Sequence, residues 1–281
     1  MSAPYLAHSL IRAALAGSIL VLATGGAACA GSPVDTRPDP QPSPALEAAV
    51  ASKTRTPSYV ARDRYRHPVE TLSFFGVSPD DTVVEIYPGG GWYTEILAPY
   101  VARRGVLYAV ASDQGLGTVR RMRQNFPERY GAVKLANFPS DDAAKRVPDA
   151  SADVVLTFRN VHNWMMGDTP YADVAFRQIF AMLKPGGILG VVDHRLPEAA
   201  DSSRERTSGY LKVSTVRRLA ESAGFEFVGS SEINANPADT TNWPAGVWTL
   251  PPTLRLNDKD RDRYLAVGES DRMTLKFVKP R

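Results

Sequence analysis

The sequence predicts an α/β fold built on a mostly parallel sheet of seven strands, with helices on both faces. Short β-branched runs alternate with helical segments from residue 82 onward, which is typical of a parallel sheet. A glycine-rich turn, Pro88-Gly89-Gly90-Gly91, joins the first strand to the next helix. Five units of a strand followed by a helix precede two final strands, and no full helix pattern lies between those two strands. We therefore expect the last strand to insert antiparallel.

The order of the elements follows from residue type and spacing. The predicted strands are 82–86, 105–111, 133–135, 152–158, 188–192, 226–228 and 274–278. The predicted helices are 69–75, 92–102, 118–126, 171–183 and 214–223. Gly76 and Gly224 follow the first and last of these helices, where a C′ glycine is expected.

Composition describes an ordinary globular chain. Its 281 residues are 43% hydrophobic and carry 33 basic and 30 acidic side chains, for a net charge of +3. The densest basic cluster, Arg120-Arg121-Met122-Arg123, is typical of a solvated helix face. We therefore expect no nucleic-acid partner.

The first 30 residues have the pattern of a secretory signal. An uncharged run from residue 13 to residue 30 follows Arg12 and ends in the small residues Ala28-Cys29-Ala30, which predicts cleavage after Ala30. Two alternatives remain: lipidation of Cys29, the one cysteine, or an uncleaved anchor. In each case the protein is exported, to the periplasm or the envelope. A membrane is a partner only through a lipidated Cys29 or an uncleaved segment.

A proline-rich segment separates this signal from the folded part. Residues 31–54 include five prolines between positions 33 and 44, a composition typical of a semi-extended linker. We expect residues 45–51 to form a short helix and the folded domain to span residues 55–281. Within it, residues 231–262 form an irregular insertion rich in Asn, Pro and Trp. This insertion is either a lid or substrate wall, or a rigid surface loop.

The turn after the first strand carries the strongest functional signal. Glycines there let backbone N–H groups and a helix N-terminus approach a ligand. An acid, Glu85, precedes the turn within an apolar strand. A nicotinamide-dinucleotide fingerprint fits less well, because Thr94 stands where its third glycine would lie.

The stretch Val83-Val84-Glu85-Ile86-Tyr87-Pro88-Gly89-Gly90-Gly91 resembles the first motif of class I S-adenosylmethionine methyltransferases, with Tyr87 in place of the first glycine. The resemblance implies a seven-stranded Rossmann-like methyltransferase sheet whose last strand is antiparallel, and S-adenosylmethionine as cofactor. It also implies that Gly89 and Gly91 line the methionine end and that Glu85 reaches the amino group. The other predicted cofactor contacts are Tyr87, Pro88, Thr94, Asn160 and Asp113. A ribose-binding acid is expected directly after the second strand, where Ala111-Ser112 stands, and Asp113 is predicted to take its place.

Two further motifs extend the resemblance over roughly residues 60–230. Residues 153–164 resemble the fourth strand and its loop, and residues 176–187, ending in Leu-Lys-Pro-Gly-Gly, resemble the turn before the fifth strand. Together with Gly-Val-Trp-Thr-Leu-Pro-Pro at 246–252, these motifs resemble a bacterial family of predicted, often exported methyltransferases.

Candidate catalytic groups lie at the expected ends of the fourth and fifth strands. Ligands bind outside the carboxyl ends of strands in open α/β sheets, where His162, Asp193 and His194 fall. Either histidine could act as base or substrate ligand near neutral pH, or have a structural role, and Asp193 could orient a neighbouring imidazole. The three could instead ligate a metal, but they lack a regular ligand spacing and we predict no metal.

The leading functional hypothesis is methyl transfer to a small molecule. An exported binding module that has this fold but no transferase activity is the alternative, because an exported protein meets no obvious supply of S-adenosylmethionine. A hydrolase is disfavoured, since no Gly-x-Ser-x-Gly elbow or nucleophilic cysteine occurs in the folded part.

Overall fold

A computed structural model describes residues 42–281. The predicted signal segment, residues 1–30, and most of the proline-rich stretch before the first helix lie outside the described residues. None of the helices in this described part combines the length and the apolar character needed to cross a bilayer.

Eleven α-helices, two short 3₁₀ helices and seven strands make up the described chain. The α-helices are α1 (Pro44–Val50), α2 (Pro57–Val60), α3 (Asp63–Arg66), α4 (Pro68–Phe75), α5 (Thr94–Val101), α6 (Gly117–Asn125), α7 (Pro127–Tyr130), α8 (Val161–Met165), α9 (Ala172–Met182), α10 (Val213–Ser222) and α11 (Arg261–Val267). The 3₁₀ helices span Ser202–Arg206 and Gly246–Thr249. The strands are β1 (Thr82–Ile86), β2 (Val106–Ala111), β3 (Lys134–Asn137), β4 (Ala152–Phe158), β5 (Leu183–His194), β6 (Glu226–Ser231) and β7 (Arg272–Val278).

The seven strands form one sheet in the order β3-β2-β1-β4-β5-β7-β6. The first five pair in parallel, and β7 lies antiparallel between β5 and β6. This arrangement confirms the predicted fold, including the antiparallel insertion of the last strand. The order reverses between β1 and β4, which is where ligands bind in open sheets of this kind.

Both faces of the sheet are covered by helices. One core contains Phe176 and Ile179 of α9 and Val216 of α10, and the other contains Phe75 of α4 and Ile96 of α5. Successive residues of the central strands alternate between the two cores, which explains why β1 and β4 read as nearly continuous apolar runs. Polar groups at the strand ends are therefore the ones free to face a ligand.

Two predicted boundaries were wrong by more than three residues. The packed structure begins at α1, because Leu46 and Ala49 are buried in the second core, so residues 44–54 are not linker. β5 is longer than predicted, because Leu183 already pairs with Ala152 and a register shift absorbs the Lys-Pro-Gly-Gly turn.

The Asp239 carboxylate is one of the groups that hold the 231–262 segment against the domain. Asp239 accepts hydrogen bonds from the Tyr210 hydroxyl, the Trp243 indole and the Asp271 backbone N–H. The segment also contains the second 3₁₀ helix and ends at the start of α11. It is therefore an ordered part of the fold, and α11 occupies the interval where no full helix pattern was recognised.

Candidate cofactor and acceptor site

The loop after β1 keeps the conformation of a glycine loop although Tyr87 replaces one glycine. Tyr87 has φ +49°, in the left-handed region that costs a non-glycine residue about 1 kcal/mol. Its ring leaves the loop and packs edge-on against Phe138, at 6.2 Å between ring centroids. The substitution therefore preserves the turn and moves the bulk of the side chain into the core.

The glycines of the loop differ in the space beside them. A Cβ atom on Gly89 would meet nothing within 4 Å, and this residue has φ +58°. A Cβ atom on Gly91 would lie 2.7 Å from the Met122 sulfur of α6. Gly89 therefore borders open space suited to a ligand, whereas the predicted contact at Gly91 faces a space that Met122 already fills. Pro88, directly before Gly89, is buried.

Glu85 is a buried acid with no cationic partner among residues 42–281. It is 2% exposed, and the Thr94 hydroxyl donates a 2.6 Å hydrogen bond to its Oε2. Burial raises the pKa of Glu85 to about 7, against the lowering effect of the Thr94 hydrogen bond. Such a carboxylate fits an incoming ammonium group, such as that at the methionine end of S-adenosylmethionine. Thr94 itself is fully buried and acts on Glu85.

A segment ahead of β1 covers the glycine loop. The Tyr59 hydroxyl donates to the Gly90 carbonyl at 2.8 Å, and the Trp92 indole donates to the Tyr59 carbonyl at 2.9 Å. The hydroxyl and backbone N–H of Thr56 both donate to Glu95 at the start of α5. These residues fix the loop from outside, and the motif analysis did not identify them.

Asp113, predicted to replace the ribose-binding acid, lies beyond β2 on the surface. The guanidinium of Arg120 binds its carboxylate at 2.8 Å, and its side chain is 76% exposed. The Arg120 and Asn137 side chains hold the pKa of Asp113 below its usual value. The residue is at the predicted edge of the sheet, but a ribose would have to compete with Arg120 for it.

Asn160, predicted to bind cofactor, ties two loops together. Its amide nitrogen donates to the Ile86 carbonyl at 2.9 Å and to the Thr157 hydroxyl at 3.2 Å. The loop after β4 is thereby fixed to the beginning of the glycine loop after β1. Whatever follows Asn160 in the chain is held next to the predicted cofactor loop.

His162, two residues later, forms a buried pair with Asp193 at the end of β5. Nδ1 of His162 lies 2.7 Å from Oδ1 of Asp193, and the His162 backbone N–H donates to Oδ2. Asp193 Oδ1 also accepts the backbone N–H of His194. Asp193 therefore orients His162, as an acid orients the imidazole of a general base.

His194 is bonded differently. Its Nδ1 lies in hydrogen-bond contact with the Ser270 hydroxyl, and its ring centroid is 5.0 Å from that of His162. Burial lowers the pKa of His194 well below its usual value, and the positive charges of Arg159 and Arg272 lower it further. The imidazole of His194 is neutral at physiological pH and a weaker base than an ordinary histidine.

His162, Asp193 and His194 also have the composition of a metal site. One potential ligand atom from each lies within 4.8 Å of the others. The Asp193 oxygens already accept three N–H groups, however, and the positive charges that depress the pKa of His194 would also repel a cation. The electrostatics favour an uncharged or anionic ligand here, in keeping with our expectation of no metal, which stays a prediction.

A cavity of about 140 Å³ opens beside the two histidines. Arg159 and Asn163 line it from the β4 side, and Trp248 and Pro251 line it from the 231–262 segment. That segment therefore supplies a wall of the cavity through Trp248, whereas Trp243 packs on Tyr264 and Asp239. Trp248 thus faces the cavity and Trp243 packs within the fold, and a role of the segment as substrate wall stays a prediction.

The convergence of arginines near this cavity is not visible in the sequence. Arg159 follows β4 within the motif already noted, and Arg66, Arg272 and Glu269 come from parts of the chain about 200 residues apart. No local pattern brings these residues together. The only local signal was an arginine directly before Asn160.

Comparison with known proteins agrees with this geometry. Residues 84–191, from β1 through β5, match the family model described as a methyltransferase domain. Three solved structures resemble the chain. The first, a SAM-dependent methyltransferase from Aquifex aeolicus, has a TM-score of 0.52 at 15% identity over 80% of this chain and 94% of that one.

The second, the [4+2]-cyclase SpnF, has a TM-score of 0.54 at 16% identity over 84% and 91% of the two chains. The third, the arsenic(III) methyltransferase CrArsM from Chlamydomonas reinhardtii, has a TM-score of 0.50 at 15% identity over 86% and 75%. At these identities the structures show the fold, and the domain match adds the chemistry. Residues 84–191 therefore match a methyltransferase domain, and the sheet that contains them has the class I fold of S-adenosylmethionine-dependent methyltransferases.

Proposed function

We propose that the chain transfers a methyl group to a small molecule bound in the cavity beside His162, with His162 as general base. The observation that carries this proposal is the buried pair of His162 and Asp193, 2.7 Å apart, at the edge of that cavity. A cavity of about 140 Å³ suits a small acceptor group.

The chemistry sets what the protein has to do. S-adenosylmethionine supplies an electrophilic methyl carbon, and transfer needs an acceptor atom aligned with it and shielded from water. When the acceptor is a hydroxyl or a protonated amine, a base must also take its proton. His162 meets this need, because Asp193 fixes its Nδ1 side and leaves Nε2 for the acceptor.

Two contacts favour His162 over His194 as that base. Asn160, directly before α8, donates a hydrogen bond to the Ile86 carbonyl beside the glycine loop. This bond fixes the position of His162 in α8 relative to the predicted cofactor loop. His194 uses Nδ1 on Ser270 and has a depressed pKa. We therefore assign it to shaping the cavity.

The test uses the full-length chain and radiolabelled S-adenosylmethionine with a panel of small hydroxyl, amine and carboxylate compounds. With any compound that accepts label, His162→Gln should lower kcat by about 10²-fold or more, the usual effect of losing a general base. Asn163 lines the same cavity, but its amide cannot act as a base. The control variant Asn163→Gln should therefore retain activity within a few-fold. Equal loss in both variants would contradict the assignment of His162.

We also propose that the protein acts outside the cytoplasm. The signal pattern of residues 1–30 supports this proposal. Residues 1–41 fused to a phosphatase that is active only after export should give activity, and Cys29→Ala should leave processing unchanged if Ala30 marks the cleavage site. An inactive fusion would contradict export, and loss of processing in the Cys29 variant would indicate lipidation.

A further inference from the structure

Four arginines converge behind the candidate acceptor cavity with too few acids to neutralise them. Arg62, Arg66 and Arg272 all form ion pairs with one carboxylate, Glu269, at 2.6, 3.2 and 3.0 Å. Burial lowers the pKa of Arg66, the nearby charge of Arg159 lowers it further, and Glu269 raises it. The Glu269 carboxylate is saturated by three guanidinium groups and cannot neutralise a fourth.

Arg159 is the unpartnered member of the group. Among the residues that the structure describes, its guanidinium forms no hydrogen bond or ion pair, while its backbone N–H donates to the Val192 carbonyl. Burial and the charge of Arg272 lower the pKa of Arg159 to about 10. A cation held this way is costly unless an anion joins it.

A second unsatisfied group points into the same region. Arg66 is 6% exposed, and within the described part of the chain its Nη2 has no hydrogen-bond partner. Arg66, Arg159 and Arg272 line a narrow cavity together, and Arg159 also lines the larger cavity with His162. The guanidinium of Arg159 thus connects the arginine group to the candidate base.

We propose that Arg159, supported by Arg66 and Arg272, binds an oxyanion of the methyl acceptor, so that the acceptor is a small carboxylate, phosphate or sulfate compound. This inference rests on the proposed function, because it places the anion in the cavity of His162. Guanidinium groups suit such oxyanions because their fork of N–H donors matches two oxygens. The walls of the larger cavity come from the loop after β4, α8, the end of β5 and the 231–262 segment and not from the glycine loop, which favours the acceptor over the cofactor as the source of the anion.

The test begins with calorimetric titration of the full-length protein with sodium sulfate at constant ionic strength. Wild type should bind sulfate, and Arg159→Gln should bind it at least tenfold more weakly. Arg217→Gln is the matched control, since Arg217 is a half-exposed arginine of α10 paired with Glu221, and should bind like wild type. Absence of sulfate binding in wild type, or equal affinity in Arg159→Gln, would overturn the proposal.

A second variant guards against misfolding. Arg159 has φ +62°, which asparagine tolerates better than most residues, so Arg159→Asn should fold. Because it removes an unneutralised charge, its thermal midpoint in sulfate-free buffer should be at least that of wild type, and sulfate should raise it less. A large loss of stability in sulfate-free buffer would indicate that Arg159 is structural and would contradict the proposal.

Two nucleoside ligands separate the possible sources of the anion. S-adenosylhomocysteine carries a carboxylate, whereas 5′-methylthioadenosine does not. Arg159→Gln should bind S-adenosylhomocysteine within about twofold of wild type, and saturation with it should leave sulfate affinity unchanged. Selective weakening of S-adenosylhomocysteine, or competition between it and sulfate, would assign Arg159 to the cofactor and overturn the proposal. Failure of wild type to bind either nucleoside would instead refute the proposed function.

Discussion

Oδ1 of Asp193 lies 2.7 Å from Nδ1 of His162, and Oδ2 of the same carboxylate accepts the His162 backbone N–H. The carboxylate thus fixes both the ring and the main chain of one residue, and both groups are buried. The contact joins the end of β5 to α8, so it sets the position of the candidate base relative to the sheet.

The first prediction concerns this pair. Asp193→Asn keeps the shape of the side chain but replaces one carboxylate oxygen with an NH₂ group. The carboxylate oxygens accept three N–H groups in the wild type, and an NH₂ group cannot accept a hydrogen bond. We expect a loss of about 3 kcal/mol in the free energy of unfolding, as when one partner of a buried pair is removed, and a fall in kcat similar to that of His162→Gln. Chemical denaturation and the radiolabel assay measure the two effects. Unchanged stability and rate would show that the pair is incidental.

The second prediction concerns pH and Glu85. Its folded-state pKa of about 7 exceeds the ordinary 4.5, so its protonated form stabilises the fold fully below pH 4.5 and this contribution is lost as pH rises through 7. Glu85→Gln cannot ionise and should gain stability over wild type, by about 3 kcal/mol at pH 8 and little at pH 4. Urea denaturation at both pH values checks this, and a difference independent of pH would contradict it.

We also expect Glu85 to release a proton when the cofactor binds. An ammonium group beside Glu85 favours the ionised carboxylate, so cofactor affinity should fall as pH drops below 7. Calorimetry of S-adenosylhomocysteine at pH 6.5 in buffers of different ionisation enthalpy should report release of a proton by wild type and a smaller release by Glu85→Gln. Equal values in the two proteins would separate Glu85 from the ligand.

The third prediction concerns Thr94, whose hydroxyl donates to Glu85 at 2.6 Å. Thr94→Val keeps the shape and removes the donor, which should raise the pKa of Glu85 further and cost about 1–3 kcal/mol at pH 8. Thr94→Ser retains the hydroxyl and is the matched control, expected to lose less stability and to keep cofactor affinity. Equal behaviour of both variants would mean that the methyl group of Thr94, and not its hydrogen bond, matters.

The fourth prediction separates the two glycines. Gly91→Ala should destabilise the fold by about 1–3 kcal/mol, through overpacking against the Met122 sulfur, and Met122→Ala should restore part of that loss. In Gly89→Ala the added Cβ atom meets no neighbour, so the variant should lose only about 1 kcal/mol in the free energy of unfolding, for its φ of +58°. It should nevertheless weaken S-adenosylhomocysteine binding more than the double variant Gly91→Ala/Met122→Ala does. The reverse order of affinities would place the ligand at Gly91.

The sequence predicted the sheet well because strand and helix periods are local. β1 and β4 have the predicted boundaries, since their apolar runs end at a glycine loop and at a polar loop. The start of the domain was misplaced, because the burial of Leu46 depends on its contact with the second core, which no local pattern shows.

The candidate site was predictable only in part. His162, Asp193 and His194 were found because strand ends bring polar groups to one edge of a sheet. The Asp193 side chain pairs with the His162 ring and not with the His194 ring. This choice depends on the directions in which the side chains leave two different elements, which the sequence does not show. The meeting of Arg66 and Arg159 with Glu269 depends on contacts between residues up to 203 positions apart, beyond any motif.

The loop from Glu85 to Gly91 is the proposed binding site of S-adenosylmethionine. Calorimetric titration of the full-length chain with S-adenosylhomocysteine at pH 7.5 tests it most directly. The account predicts saturable binding at one site, with an affinity that Gly89→Ala weakens at least tenfold. Absence of binding at millimolar ligand, or full affinity in Gly89→Ala, would contradict it.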